Sequence, residues 1–357
     1  MSHKKKKVLG RGMAQLVDGS FSSIIEPERG ARQHSRTSET RPGQQPASQP
    51  APVSTAAAAR PRTPAPYTRA AHAAAQAAEP AAVVPAARPF DVISVSSGKG
   101  GTGKSVLTSN LAVLMAPSTR VTILDADLGL ANIHILFNLM PRFNASHVIT
   151  GEKALDEVMI RGPRGVNIIP GGSGIPELAS LSDLRFSSLV AGIATLDHST
   201  DLLLIDTPSG IDRQALTFLL ASDQVMVVTT EDVTAMTDAY AVIKTVMARR
   251  ADATVVLVVN KARSYADGLE TFHKVSHVCR KFIGRELALG GVIPFDENVV
   301  RSVAERVPVS LSHPASPASR AMNSIAMRIG TFHSRSQRAA LPFTARLKRL
   351  LAAPAPR

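Results

Sequence analysis

The sequence predicts an α/β fold, a doubly wound and mainly parallel sheet flanked by helices, from three observations. From residue 91 onward, short runs of Val, Ile and Leu alternate with longer helix-like stretches; the runs lack polar alternation; and a glycine-rich loop joins the first run to the first helical stretch. The alternation is the order that crossover connections between parallel strands produce. Apolar runs without polar interruption belong to strands covered on both faces.

Taken in order, the expected strands are 92–97 (VISVSS), 121–125 (VTILD), 166–170 (VNIIP), 201–206 (DLLLID), 224–230 (QVMVVTT), 254–260 (TVVLVVN) and 290–293 (GGVI). Helices are expected at 104–116, 184–196, 212–221, 232–250, 266–284 and 316–330, where apolar residues recur at helical spacing. These elements form one domain over 91–330. Residues 1–90 read as a disordered basic tail, because their Ala, Pro, Arg, Ser and Gln carry too little large apolar surface to offset the entropy of ordering. Residues 331–357 read as a second basic tail carrying an amphipathic helix at 343–353.

Charge divides along the same lines. The 357-residue chain has a net charge of +13; residues 1–90 hold 13 Lys and Arg against 5 acids, and residues 326–357 hold 7 against none. That leaves 21 basic and 23 acidic residues between them, so the folded middle is close to neutral. An anionic surface such as lipid or nucleic acid would be met by the ends, and nucleic acid is the less expected of the two. No run approaches the ~18 apolar residues of a membrane span, and the start lacks a secretory core, so a cytoplasmic location is expected. Cys279 is the single cysteine, which excludes an intrachain disulfide and a two-thiolate metal site within one chain.

Residues 98–105, GKGGTGKS, match the phosphate-binding pattern GxxxxGK[ST] between a strand and a helix, the context that pattern requires. Gly98, Gly100, Gly101 and Gly103 let backbone amides, including that of Thr102, approach phosphate oxygens. The helix N-terminus adds partial positive charge, Lys104 reaches the β- and γ-phosphates, and the Ser105 hydroxyl is a magnesium ligand. ATP and Mg2+ are the expected cofactors, and ATP hydrolysis the expected reaction. Asp125 and Asp206 close their strands where ligands bind in open α/β sheets, and Asp206 has the placement of a magnesium-holding carboxylate. Asp127, two residues beyond Asp125, is placed to orient the attacking water; capping or turn roles for Asp125 and Asp127 are the alternative.

The second lysine of the loop, Lys99, is outside the general pattern, and with it the sequence resembles the MinD/ParA class of ATPases, whose deviant loop reads KGGxGK[ST]. The resemblance continues through DADLGLAN (125–132), IDTPSGI (205–211), VVNKA (258–262) and GVIPFDENV (291–299). Within the class, NIIPGGSGIPELASLS (167–182) and TDAYAVIK (237–244) look most like FlhG (FleN or YlxH), the MinD-like regulators of flagellar number and placement. The resemblance implies an ATP-bound homodimer in which Lys99 reaches the partner's phosphates, with Asp127 positioning water, Asp125 and Asp206 around magnesium, and Asn260, Pro294 and Phe295 at the adenine. It also implies a switch that cycles on the inner face of the cytoplasmic membrane, with the flagellar GTPase FlhF or flagellar switch components as partners. A ParA-type partitioner of DNA or cargo is the competing expectation; a metal-cluster carrier of the same fold lacks its cysteines here.

Three features depart from the family pattern. His134 stands where an acid is usual, TTEDV (229–233) lacks a proline-containing turn, and there is no DQAxxLR element for FlhF. The start, KKKKVLGRGMAQLV, instead resembles the LGRGL segment with which ParB proteins activate their ATPases. Near the end, Phe343, Leu347, Leu350 and Leu351 recur at helical spacing, with Arg346, Lys348 and Arg349 on the other sides. The expectation is a weak interfacial anchor that two copies in a dimer would strengthen, as in MinD-like proteins. The same stripe would also suit a helix docked on the domain.

Overall fold

The computed structural model describes residues 90–128, 131–172, 183–333 and 341–352. The readings made above for residues 1–89, including the basic tail and its KKKKVLGRG start, lie outside these, as do 173–182 of the FlhG-like stretch. In chain order the elements are β1 (Asp91–Ser96), α1 (Lys104–Met115), β2 (Val121–Asp125), α2 (Ile133–Leu136), α3 (Ala145–Ile149), α4 (Leu155–Val158), β3 (Ile160–Arg161), β4 (Asn167–Ile169), α5 (Asp183–Ala194) and β5 (Leu202–Asp206). There follow α6 (Arg213–Ala221), β6 (Gln224–Thr229), α7 (Val233–Arg249), β7 (Thr254–Ala262), α8 (Tyr265–Ile283), β8 (Ala288–Pro294), α9 (Glu297–Ala304), α10 (Val309–Ser312), α11 (Pro317–His333) and α12 (Phe343–Ala352).

The eight strands form one sheet in the order β3-β4-β2-β5-β1-β6-β7-β8, parallel throughout except for the short antiparallel pair β3–β4. Alternate residues of β1 enter opposite cores: Ile93 and Val95 pack with Leu107 and Leu111 of α1, whereas Val92 packs with Leu189 of α5 and Phe218 of α6. A third cluster joins β6 and β7 to α7 and α8 and encloses Cys279. Helices on both faces are why these strands read as unbroken apolar runs. β1 is flanked by β5 and β6, so the chain winds outward in both directions from it, and the crevice at its C-terminal end is where open sheets place ligands.

In this conformation the C-terminal helix takes the docked placement, the second of the two that its apolar stripe allows. Phe343 and Leu347 are buried in the core formed with α5 and α6, Leu350 and Leu351 pack partly against it, and Arg346 ion-pairs with Asp223. The apolar stripe expected to face lipid faces the protein, and Lys348 and Arg349 are left exposed. Two fully buried side chains of this size contribute roughly 3–6 kcal/mol together to holding the helix in place.

Candidate functional site

The loop after β1 is shaped by close approaches that only glycine allows. Gly103 adopts a φ of 93° as it caps α1, and Gly101 a φ of 78°. A Cβ on Gly103 would stand 2.3 Å from Nδ2 of Asn260, and one on Gly98 would stand 2.2 Å from the Asp238 backbone on α7. A Cβ on Gly100 would meet nothing nearer than Ser209 Oγ at 3.9 Å, so its neighbourhood is open. The loop is braced from β7: Asn260 Nδ2 donates to Thr102 O at 2.7 Å, and Lys261, itself at a φ of 56°, donates from Nζ to Gly101 O at 2.9 Å. Asn260, expected at the adenine, therefore also supports the phosphate loop.

Behind the loop, α1 and β5 bring hydroxyls onto one carboxylate. Ser105 Oγ donates to Asp206 Oδ2 at 2.6 Å, and Thr108 Oγ1 approaches Asp206 Oδ1 at 3.3 Å. Thr108 was not singled out from sequence, although its place one turn after Lys104 puts it on the same helix face. Asp125 pairs in register with Asp206 on the neighbouring strand, and both are buried. Burial pushes the Asp206 carboxyl up to about 6, against the opposing Ser105 hydrogen bond and Lys104 charge. Burial, and then the nearby Asp206, push Asp125 well above the usual carboxylate range. Two buried carboxylates and a hydroxyl are an oxygen set of the hard kind that magnesium takes, and a cation there would relieve the charge that burial penalises.

Asp125 has a second task. Its carboxylate accepts N–H bonds from Asp127 at 3.3 Å, Asn132 at 2.9 Å and Ile133 at 3.0 Å, so the loop after β2 is folded around it. This is the capping role the sequence left open. The loop is further tied by Ala126 N to Asp206 O at 2.8 Å and by Gln214 Nε2 to Ala126 O at 2.7 Å. No spacing in the sequence points to Gln214, since the contact is made between distant segments.

A cavity of about 450 Å³ is lined by Lys104, Ser105, Asn260, Pro294 and Phe295 among others, so the phosphate and adenine candidates share one space. Lys99 lines an adjoining cleft with Thr230, Glu231 and Asp232, which shares Gly101 and Lys261 with that cavity, and its Nζ donates to Thr234 Oγ1 of α7 at 3.0 Å. The two loop lysines thus point to different places. In the TTEDV segment Glu231 accepts from Arg263 N and Nε, at 2.9 and 2.8 Å, which ties this departure from the family turn to the loop after β7. His134 is half-buried, its pKa pushed down by burial, with no hydrogen-bond partner for Nδ1 among the described residues. The anchor candidates lie elsewhere: Asp223, the partner of Arg346, bonds Val92 at the start of β1, the opposite end of the sheet.

Comparisons with known proteins agree with this geometry. A model of the CobQ/CobB/MinD/ParA nucleotide binding domain matches residues 93–309. The chain is 35% identical over 245 residues to the antiactivator FleN of Pseudomonas aeruginosa, covering 68% of this chain and 88% of FleN. It is 35% identical over 216 residues to the flagellum site-determining protein YlxH of Helicobacter pylori, covering 60% and 73%. Among solved structures it is similar to the cell division ATPase MinD of Pyrococcus furiosus, with a TM-score of 0.58 and 25% identity over 68% of this chain and 99% of that one. It is also similar to the septum site-determining protein MinD of Pyrococcus horikoshii, solved with Mg-ADP, with a TM-score of 0.59 and 24% identity over 70% and 100%.

Proposed function

Because the chain belongs to the CobQ/CobB/MinD/ParA nucleotide-binding family, we propose that it is a switch ATPase, in which ATP bound at residues 98–105 brings two copies together and hydrolysis separates them. Lys104 pairs with the β- and γ-phosphates, the loop amides cradle them, and Asp127 orients the attacking water. Magnesium held by Ser105 and Asp206, with Asp125 beside them, would neutralise charge on the phosphates. Asn260, Pro294 and Phe295 receive the adenine. The name of YlxH, a flagellum site-determining protein, and the resemblance to FlhG-type regulators support flagellar number or placement as the process.

The observation that carries the switch reading is Lys99. A lysine needed only for its own nucleotide would share the cavity of Lys104, whereas Lys99 points into the other cleft and rests on Thr234. That disposition suits a group whose phosphate arrives on a second copy. The membrane half of the reading is that dimer formation releases α12 from its groove, presenting Phe343, Leu347, Leu350 and Leu351 to the lipid of the inner face with Arg346, Lys348 and Arg349 at the headgroups. FlhF and flagellar switch components are the partners this reading favours. The basic ends keep ParA-type binding to nonspecific DNA as the second reading, which steep salt dependence would favour.

The test is light scattering of the Asp127→Ala protein with ATP and magnesium. It should give a long-lived dimer that Lys99→Ala added to the same chain converts to monomer. A persistent monomer in Asp127→Ala, with nucleotide bound, would sink the dimer reading.

A further inference from the structure

Residues 167–172, NIIPGG, contribute no side chain to the nucleotide cavity, yet they end against its carboxylate loop. β4 pairs with β2 as far as Leu124 and Ile169, and two residues later Gly171 is buried under the turn that follows β2. A Cβ on Gly171 would stand 2.7 Å from the carbonyl oxygen of Asp125, 3.0 Å from that of Asp127 and 2.9 Å from Cβ of Ala131. Two of these obstacles are backbone, which has no rotamer to give way. Gly171 is not among the positive-φ glycines, so alanine can adopt its backbone angles and meets only the lack of space. The segment cannot easily retreat, because Pro170 O accepts from Ala145 N at 2.8 Å.

The loop is also supported by hydrogen bonds, from the Asp125 carboxylate within it, Asp206 O beside it and Gln214 at Ala126, and by Ala126 and Leu128, which are buried in the core with α5 and α6. Gly171 is a support made by packing. We propose that Gly171 is a positioning residue for hydrolysis, whose missing side chain seats the Asp125–Asp127 backbone directly on the end of β4 and so sets where the Asp127 carboxylate stands relative to Lys104 and Ser105. This rests on the reading of Asp127 as the water-orienting group. Displacement of such a group by about 1 Å is the scale at which rates fall by up to about a hundredfold while binding persists.

The experiment is single-turnover ATP hydrolysis by the full chain together with the Kd for a fluorescent ATP analogue, for wild type, Gly171→Ala, Asp127→Ala and the double variant. Gly171→Ala should lower the rate about tenfold or more with Kd within about threefold of wild type, and should cost nothing further once Asp127 is alanine. Wild-type hydrolysis by Asp127→Ala would remove the reading of Asp127 and this inference with it. A slow Asp127→Ala in which Gly171→Ala lowers the rate by the same factor as in wild type would overturn the inference and leave Asp127 standing, as would an unimpaired Gly171→Ala. If Gly171→Ala does not fold, Ala131→Val fills the same gap from the loop side; the same split between rate and Kd is expected, and an unchanged rate overturns the proposal.

Discussion

At the C-terminal end of β1 the molecule holds polar groups that are buried and crowded, whereas at the N-terminal end of the same strand it holds a helix on an apolar surface with one ion pair at its edge. The first end keeps Asp125 and Asp206 buried on adjacent strands, with Ser105, Thr108 and backbone amides as partners. The second end is α12, seated through Phe343 and Leu347 and fastened by Arg346 to Asp223. One arrangement carries a burial cost on its carboxylates that a bound cation would relieve. The other is favourable as it stands and small enough to be undone.

The largest expected effect tests the first end. Asp206 has a folded-state pKa near 6, raised by burial, so its contribution to stability is fully present below the unfolded value near 4 and is lost as pH rises through 6. At pH 7 the nucleotide-free protein therefore carries the cost of ionising a buried carboxyl. Asp206→Asn should raise Tm at pH 7 in EDTA by a few degrees, with the gain shrinking toward pH 4, and should weaken magnesium-dependent nucleotide binding by about a hundredfold or more. A variant less stable than wild type at pH 7 would contradict the idea that this end is strained in the absence of ligand.

The second end answers to smaller changes. Phe343→Glu should lower the stability of the full chain by about 2–3 kcal/mol, because it replaces a buried ring with a charge. It should also abolish ATP-dependent cosedimentation with anionic vesicles if α12 is the lipid contact. Asp223→Ala separates docking from lipid binding: it loosens the helix without altering its sequence, so vesicle binding in the absence of ATP should rise. Unchanged vesicle binding in both variants would mean that docking is all that α12 does.

This contrast also divides what could be read from sequence. The phosphate loop is a local pattern set between a strand and a helix, so its residues are placed by spacing, except Lys99, which the family resemblance supplies. Thr108 was reachable by helical spacing, but Gln214 and Gly171 act across contacts between distant segments and leave no local trace. β3, with two residues, and α2, α3, α4 and α10, with four or five each, are too short to show a period. For α12 the spacing gave the stripe correctly and left its partner open, since lipid and a protein groove ask the same of a helix face. Glu231 shows the converse case: the segment that departs from the family turn is tied to Arg263, a contact no spacing indicates.

The smallest effect bears on how the crowded end becomes available to a second copy. Lys99 rests on Thr234, and Gly98, its neighbour, packs on Asp238 one turn further along α7, so the first turns of this helix form a platform for the start of the loop. The Lys99 hydrogen bond is exposed, which limits it to a fraction of what a buried charged hydrogen bond contributes, below about 1 kcal/mol. If the contact holds the lysine on its own chain, it competes with the partner's phosphate for the same ammonium. Thr234→Val keeps the shape and β-branching of the side chain and removes the acceptor. In the Asp127→Ala background it should tighten ATP-dependent dimerisation about two- to fivefold by analytical ultracentrifugation, and leave the Kd for nucleotide in the monomer unchanged, because Lys104 and not Lys99 lines that cavity. Equal tightening in a Lys99→Ala chain would show that Thr234 acts on something other than this lysine.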